Sequence, residues 1–238
     1  MKLHTMLLAL CLALCAPWAP AQSPSARAVT PGPFDSIEIS GSAVVRIAQG
    51  TSDQIVIEGG SDAQNAVELE VHDGVLMIRP SGSWKFWDHR RARIAVTVRD
   101  LKRVIVSGAA DVRAPGAVRA HHLAVFISGA GSARFDQLQA DELKFNVSGA
   151  GDGQMTGTVD QLSVSISGRS EFRGENLMSQ RAAVAVSGVG DVKVWATETL
   201  KIAVSGLGTV DYWGTPSVKR STSGVATIND RGPKRAGS

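Results

Sequence analysis

The stretch Leu143-Lys144-Phe145-Asn146-Val147-Ser148-Gly149-Ala150-Gly151-Asp152 decides how the rest of the chain reads. Leu143, Phe145 and Val147 alternate with Lys144 and Asn146, so an extended strand here has one apolar side and one polar side. Ser-Gly ends the run, and the glycines that follow let the backbone bend sharply. The same phrase returns at Val106-Ser107-Gly108, Ile127-Ser128-Gly129, Ile166-Ser167-Gly168, Val186-Ser187-Gly188, Val204-Ser205-Gly206 and Thr222-Ser223-Gly224. Successive serines stand 21, 20, 19, 20, 18 and 18 positions apart. A further copy, Ile39-Ser40-Gly41, stands alone near the N-terminus.

Alternating strands in a repeat of about 20 residues predict an all-β protein, a β-solenoid (β-helix). No single unit can bury its apolar side, but stacked units share one core. Each unit reads as two strands, the second following the glycine bend. Its inward candidates are Val112, Phe135, Met155, Phe172, Val192 with Val194, Val210 with Tyr212, and Ile228. Almost no stretch carries a helical apolar period, so helix is a minor component. Parallel stacking at about 4.8 Å turns the repeat into columns. One column holds the serines of Ser-Gly. A second holds Asp111, Ser132, Asp152, Glu171, Asp191, Thr209 and Thr227, and a third Arg113, Arg134, Gln154, Arg173, Lys193, Asp211 and Asn229.

Residues 34–103 read as a less regular β part, with strands at 34–40, 44–48, 54–58, 66–72 and 75–79. Asp73-Gly74 marks a tight hairpin between the last two. The repeat coils run from 104 to 230, so one domain spans 34–230. In its last coil the run Val218-x-Arg220-x-Thr222 puts polar Arg220 and Thr222 where apolar inward residues stand in other coils, which suits a coil that meets water. Residues 231–238 read as a disordered tail.

The first 21 residues read as a signal peptide: Lys2, an apolar run from Met6 to Ala16, then Ala19-Pro20-Ala21, with residues 22–33 as a linker. Both cysteines, Cys11 and Cys15, fall inside that segment. The exported chain would therefore have no disulfide and would rest on burial and backbone pairing. Leu10 and Leu14 precede the cysteines where a lipoprotein signal wants a small residue. After the signal, no apolar segment approaches the roughly 20 residues of a membrane-crossing helix. The net charge of +3 falls by one with Lys2, and a nearly balanced chain argues against a nucleic-acid partner.

For binding, the segment Trp84-Lys85-Phe86-Trp87-Asp88-His89-Arg90-Arg91-Ala92-Arg93 stands out, with three aromatic and four cationic residues. Trp84, Lys85, Phe86, Trp87, Arg90, Arg91 and Arg93 form a candidate ligand surface for sugars, a membrane interface or an anionic polymer. Equally, the aromatics suit a cap over an open solenoid edge. Trp195, Tyr212 and Trp213 make a second group; alternation points Tyr212 inward and the two tryptophans outward, at a packed end.

A catalytic reading would use Asp152 and Asp191, two coils apart with Glu171 between. Their separation of about 10 Å is at the upper edge for an inverting glycosidase. Such a periodic column is more simply a solvated face. His72, His121 and His122 have no metal or triad spacing. The turns Gly149-Ala150-Gly151-Asp152 and Gly188-Val189-Gly190-Asp191 lack one residue of the calcium β-roll pattern and do not recur every nine residues. No catalytic residue, cofactor or metal site is assigned.

Phe34-Asp35-Ser36-Ile37, then Val71-His72-Asp73-Gly74-Val75-Leu76-Met77-Ile78, then repeated Val/Ile-Ser-Gly-x-Gly units together resemble the head GIN domain of auto-transporter adhesins, over residues 34–228. The resemblance implies a β-helical fold, an envelope or surface location, and binding to a glycan, envelope or host-surface component, with no catalytic residues to carry over. No C-terminal run of ten-residue alternating strands offers a membrane barrel, so periplasmic residence competes with surface display. Function is expected to be a non-enzymatic binding module of the exported envelope. The alternatives are a periplasmic scaffold or sensor partner and a glycan-processing β-helix enzyme.

Overall fold

Backbone pairing follows the Ser-Gly repeat. The computed structural model describes residues 26–81 and 92–234. It is a β-solenoid of about 6 turns of roughly 20-residue coils, 73% strand and 3% helix, as the period-two repeat requires. In chain order the elements are β1 (Ala26–Val29), β2 (Ser36–Ile39), β3 (Ala43–Gln49), β4 (Gln54–Glu58), the short helix α1 (Ser61–Asn65), β5 (Val67–His72) and β6 (Val75–Pro80). After them come β7 (Ala92–Val98), β8 (Arg103–Val106), β9 (Asp111–Ile127), β10 (Ser132–Val147), β11 (Asp152–Ile166), β12 (Arg169–Val186) and β13 (Val189–Val204). The last are β14 (Leu207–Trp213), β15 (Ser217–Thr222) and β16 (Val225–Asp230).

From β9 to β13 each long strand is nearly a whole coil, paired in parallel with the next. Val147 lies opposite Ile127 on one side and Ile166 on the other. The coil has three straight runs where the sequence reading expected two. In β10 the buried residues are Ala133 and Phe135, then Leu138 and Ala140, then Leu143, Phe145 and Val147; the alternation skips at Asp136-Gln137 and Asp141-Glu142. Two adjacent polar residues reverse which side faces inward, which is what a corner needs. Pairing of β10 with β11 shifts register at the first of these corners, between Phe135 and Leu138. In β10 neither corner holds a glycine, so neither carried a turn signal.

Phe135, Phe145 and Phe172 are among the largest fully buried side chains. The rings of Phe145 and Phe172 lie 5.0 Å apart at 44°. Space for them comes from Gly153, where a Cβ would stand 2.5 Å from the Phe145 ring. Burial of these apolar columns is the dominant stabilising term of a fold whose described residues contain no cysteine.

The Ser-Gly glycines serve close approach rather than unusual dihedral angles. A Cβ on Gly108, Gly129, Gly149, Gly168, Gly188, Gly206 or Gly224 would stand 1.8 to 2.1 Å from the carbonyl oxygen of the glycine one coil earlier. Among these bends only Gly41, which begins the column, has positive φ.

The isolated copy Ile39-Ser40-Gly41 is therefore a coil of the solenoid. Strand β2 pairs in parallel with β6 on one side and β8 on the other, and β3 lies between β7 and β9. Spatial order thus departs from chain order: the coil made from β6 and β7 lies outside the one made from β2 and β3. Antiparallel strands finish this end, with β4 on β7, β1 on β4, and β5 on β6. The β5–β6 hairpin turns through Asp73 (φ 49) and Gly74 (φ 75), as Asp-Gly predicts.

At the other end β15 pairs with β13 and β16 with β14. Arg220 donates to the Tyr212 hydroxyl at 3.2 Å and lies 5.9 Å from its ring centroid, so a polar inward residue roofs the last aromatic. Residues 231–234, read from sequence as the start of the tail, run back along the coils. Arg231 bridges Asp211 at 3.0 Å, and Gly214 donates to the Gly232 carbonyl at 3.0 Å. Trp195, expected to point outward, is only 6% exposed. It sits at a corner where Val194, Trp195 and Ala196 are buried in succession, so alternation does not apply there.

Candidate functional site

On the run that follows each Ser-Gly bend, Val112 and Ala114 and their equivalents point inward while the residues between face solvent. Pairing confirms the two charged columns in register. The acidic one extends to Val44 and Arg93 at the N-terminal end, because Arg93 lies opposite Val44, and Val44 opposite Asp111. The basic one begins a coil earlier than expected: Arg46 lies opposite Arg113, followed by Arg134, Gln154, Arg173 and Lys193. Arg46 escaped sequence reasoning because its coil is displaced in the chain, though it follows its Ser-Gly as Arg113 does.

A groove of about 480 Å³ opens along this face, lined by Arg46, Arg113, Arg134 and Arg173 together with Asp152 and Gln154. All four arginines are exposed. Arg134 donates to Asp136 at 2.6 Å and to Gln154 at 3.3 Å. Arg173 pairs with Glu171, which Lys193 reaches at 3.2 Å. Among the described residues Arg46 and Arg113 make no ion pair, which leaves their guanidinium groups for a ligand. A second groove of about 470 Å³, on the run before Ser-Gly, is lined mainly by small side chains such as Ser163, Ser165, Ala183 and Ala185 beside Lys201 and Lys219. It offers little convergent polar chemistry, so the arginine groove is the better site.

Asp152, Glu171 and Asp191 occupy consecutive coils as the catalytic reading required. The hydrogen bond from Arg173 holds the Glu171 carboxyl down to about 2, against the opposing effect of burial, and Lys193 adds to the lowering. A carboxylate so fixed in its ionised form cannot serve as a general acid near neutral pH.

Of the sequence-derived candidates, Trp84, Lys85, Phe86, Trp87, Arg90 and Arg91 lie outside the described residues. Arg93 is exposed on β7, two positions before Ala95, the neighbour of Arg46. His121 and His122 do have partners, each 20 residues on: Asp141 at 2.8 Å and Glu142 at 3.1 Å, one coil away along a corner. The repeat length itself would have found them. Among the described residues no three His, Cys, Asp or Glu side chains converge as a metal site, and no helix is long and apolar enough to cross a membrane.

Residues 33–216 match the family described as putative auto-transporter adhesin, head GIN domain. The chain belongs to this family. Solved structures similar to this GIN domain include a putative adhesin from Bacteroides fragilis, 24% identical with a TM-score of 0.81, covering 89% of this chain and 98% of that one. A putative adhesin from Parabacteroides distasonis is 19% identical with a TM-score of 0.68, covering 87% and 97%. A protein from the same organism named as a putative lipid binding protein is 18% identical with a TM-score of 0.67, covering 88% and 97%. At these identities they share the fold. No curated protein matches the chain.

Proposed function

We propose that this GIN domain protein is an exported, non-catalytic binding module of the bacterial envelope or surface, acting as an adhesin toward an anionic glycan. The observation that carries this reading is the arginine column of Arg46, Arg113, Arg134 and Arg173 along one groove. Guanidinium groups repeated along a stack of strands about 4.8 Å apart suit an extended polymer bearing carboxylates or sulfates, which arginine binds in bidentate fashion. The basic and aromatic residues from Trp84 to Arg91 precede the exposed Arg93 in the chain, and we include them among the candidate contacts with the polymer. The signal-like residues 1–21 support export. Against the alternative of a glycan-processing enzyme stands Glu171, ionised and paired in the middle of the acidic column.

The test is binding of residues 22–238 to immobilised dextran sulfate and polygalacturonate, with uncharged dextran as reference. The anionic polymers are expected to bind, the affinity falling at least about tenfold in Arg46→Glu/Arg113→Glu and steeply with salt. Trp84→Ala/Trp87→Ala is expected to weaken binding without changing the melting temperature. Equal retention of dextran, or an unchanged affinity in the double arginine variant, overturns the reading.

A further inference from the structure

The corner between β12, β13 and β14 holds an arrangement that neither the solenoid nor the arginine groove explains. Register puts Trp195 opposite Met178 on one side and Trp213 on the other, so two indoles stand on neighbouring coils. Pairing of β12 with β13 jumps from Gly174 to Met178, leaving residues 175–177 looped out of that ladder. Into this corner reaches the ammonium of Lys234. It lies 5.4 Å from the ring centroid of Trp195 and 5.7 Å from that of Trp213. It donates to the carbonyl oxygen of Glu175 at 2.7 Å and to Asn176 Oδ1 at 2.8 Å.

Two aromatic faces and two oxygens make the chemistry of an ammonium receptor: the ring quadrupoles face the charge and the oxygens accept the N–H hydrogen bonds. Two more polar atoms of these residues, Glu175 Oε2 and Trp195 Nε1, are buried with no partner among the described residues. Groups of this kind ordinarily find one. Lys234, then, engages only part of what the corner offers.

We propose that this corner is a binding site for a primary amine, and that Lys234 is its internal occupant, displaced when an amine on a partner molecule enters. The chain segment that carries Lys234 turns at Gly232 (φ 81) and is held by Arg231 on Asp211, so only its last two described residues need to move. A tethered lysine competes at high effective concentration, so external amines bind weakly while it is in place and much better once it is gone.

The test uses the full exported chain, residues 22–238, with indole N–H signals followed by NMR and assigned through Trp195→Phe and Trp213→Phe. The probe is n-butylammonium, and n-butanol controls for apolar contact alone. In Lys234→Ala the Trp195 and Trp213 signals are expected to shift saturably with the amine and not with the alcohol. The unmutated chain is expected to need about ten times more amine for the same shift. Identical titrations of the two proteins, or equal response to alcohol and amine, overturn the proposal. If the substitution loosens the last coil, the unmutated chain alone decides: absence of a saturable indole shift at high amine concentration overturns it too.

Discussion

A Cβ on Gly108 would stand 2.0 Å from the carbonyl oxygen of Gly41, far shorter than any real contact. Two distant parts of the chain thus pass at backbone distance, and the six Ser-Gly bends that follow, at Gly129, Gly149, Gly168, Gly188, Gly206 and Gly224, repeat the approach. Each Ser-Gly bend stacks directly on the one before, with the amide of Ala109 donating to the Gly41 carbonyl at 2.8 Å. Any side chain at the glycine position forces coils apart.

Gly149→Ala is therefore expected to cost about 3 kcal/mol or more, since its Cβ would meet the Gly129 oxygen at 2.1 Å. Gly116→Ala, with nothing within 4 Å of a new Cβ, is expected to stay within about 0.5 kcal/mol. Urea unfolding of both variants checks the contrast, and similar costs would contradict the stacking argument.

Gly153 and Phe145 are expected to behave as a coupled pair. Phe145→Ala should cost about 3–5 kcal/mol by leaving a cavity against Phe172. Gly153→Ala alone should cost about 1–3 kcal/mol, because its methyl meets the ring. In the double variant the methyl enters vacated space, so the sum should overshoot the measured loss by about 1 kcal/mol or more. Simple additivity in a double-mutant cycle would refute the packing.

Acid sensitivity is expected to pass partly through Glu171. Its carboxyl is held at about 2 in the folded chain, below the ordinary 4.5. A lowered folded value gives stability that is present above the ordinary value and lost as pH falls from about 4.5 toward about 2. Its side chain is 30% exposed, so solvent screening reduces the contribution to about 1–2 kcal/mol. Glu171→Gln should lower the stability at pH 7 by that amount, with the two proteins converging as pH drops through this window. Parallel stability curves would show that the pair contributes nothing.

His121 should titrate above the ordinary imidazole value of 6.5, because Asp141 accepts from its protonated ring. A raised folded value means that the favourable contact is present below 6.5 and lost as pH rises through the folded value. Proton NMR of the imidazole in Asp141→Asn should show the value fall back; no change would place the histidine in solvent, without its partner.

Where repeats follow one another in the chain, their columns were legible from spacing alone. Asp111, Ser132 and Asp152 share a column because each opens the run after its own Ser-Gly, and parallel coils convert equal sequence phase into equal height. His121 and Asp141 meet for the same reason. The three-sided coil was less legible, since its two further corners in β10 are ordinary polar pairs, Asp136-Gln137 and Asp141-Glu142, with no glycine to mark them.

Period-two alternation and a nearly constant repeat are enough to dictate the solenoid, its apolar interior and the order of charges along each column from β9 onward. The stacking of Ser40-Gly41 under Ser107-Gly108, the place of Arg46 at the head of the arginine column and the return of Lys234 to Trp195 belong to the folded chain alone. Those contacts join segments separated by intervening strands or a chain reversal. Nothing in a local pattern selects them; they are chosen by which exposed edges remain to be paired and which aromatic faces remain to be covered.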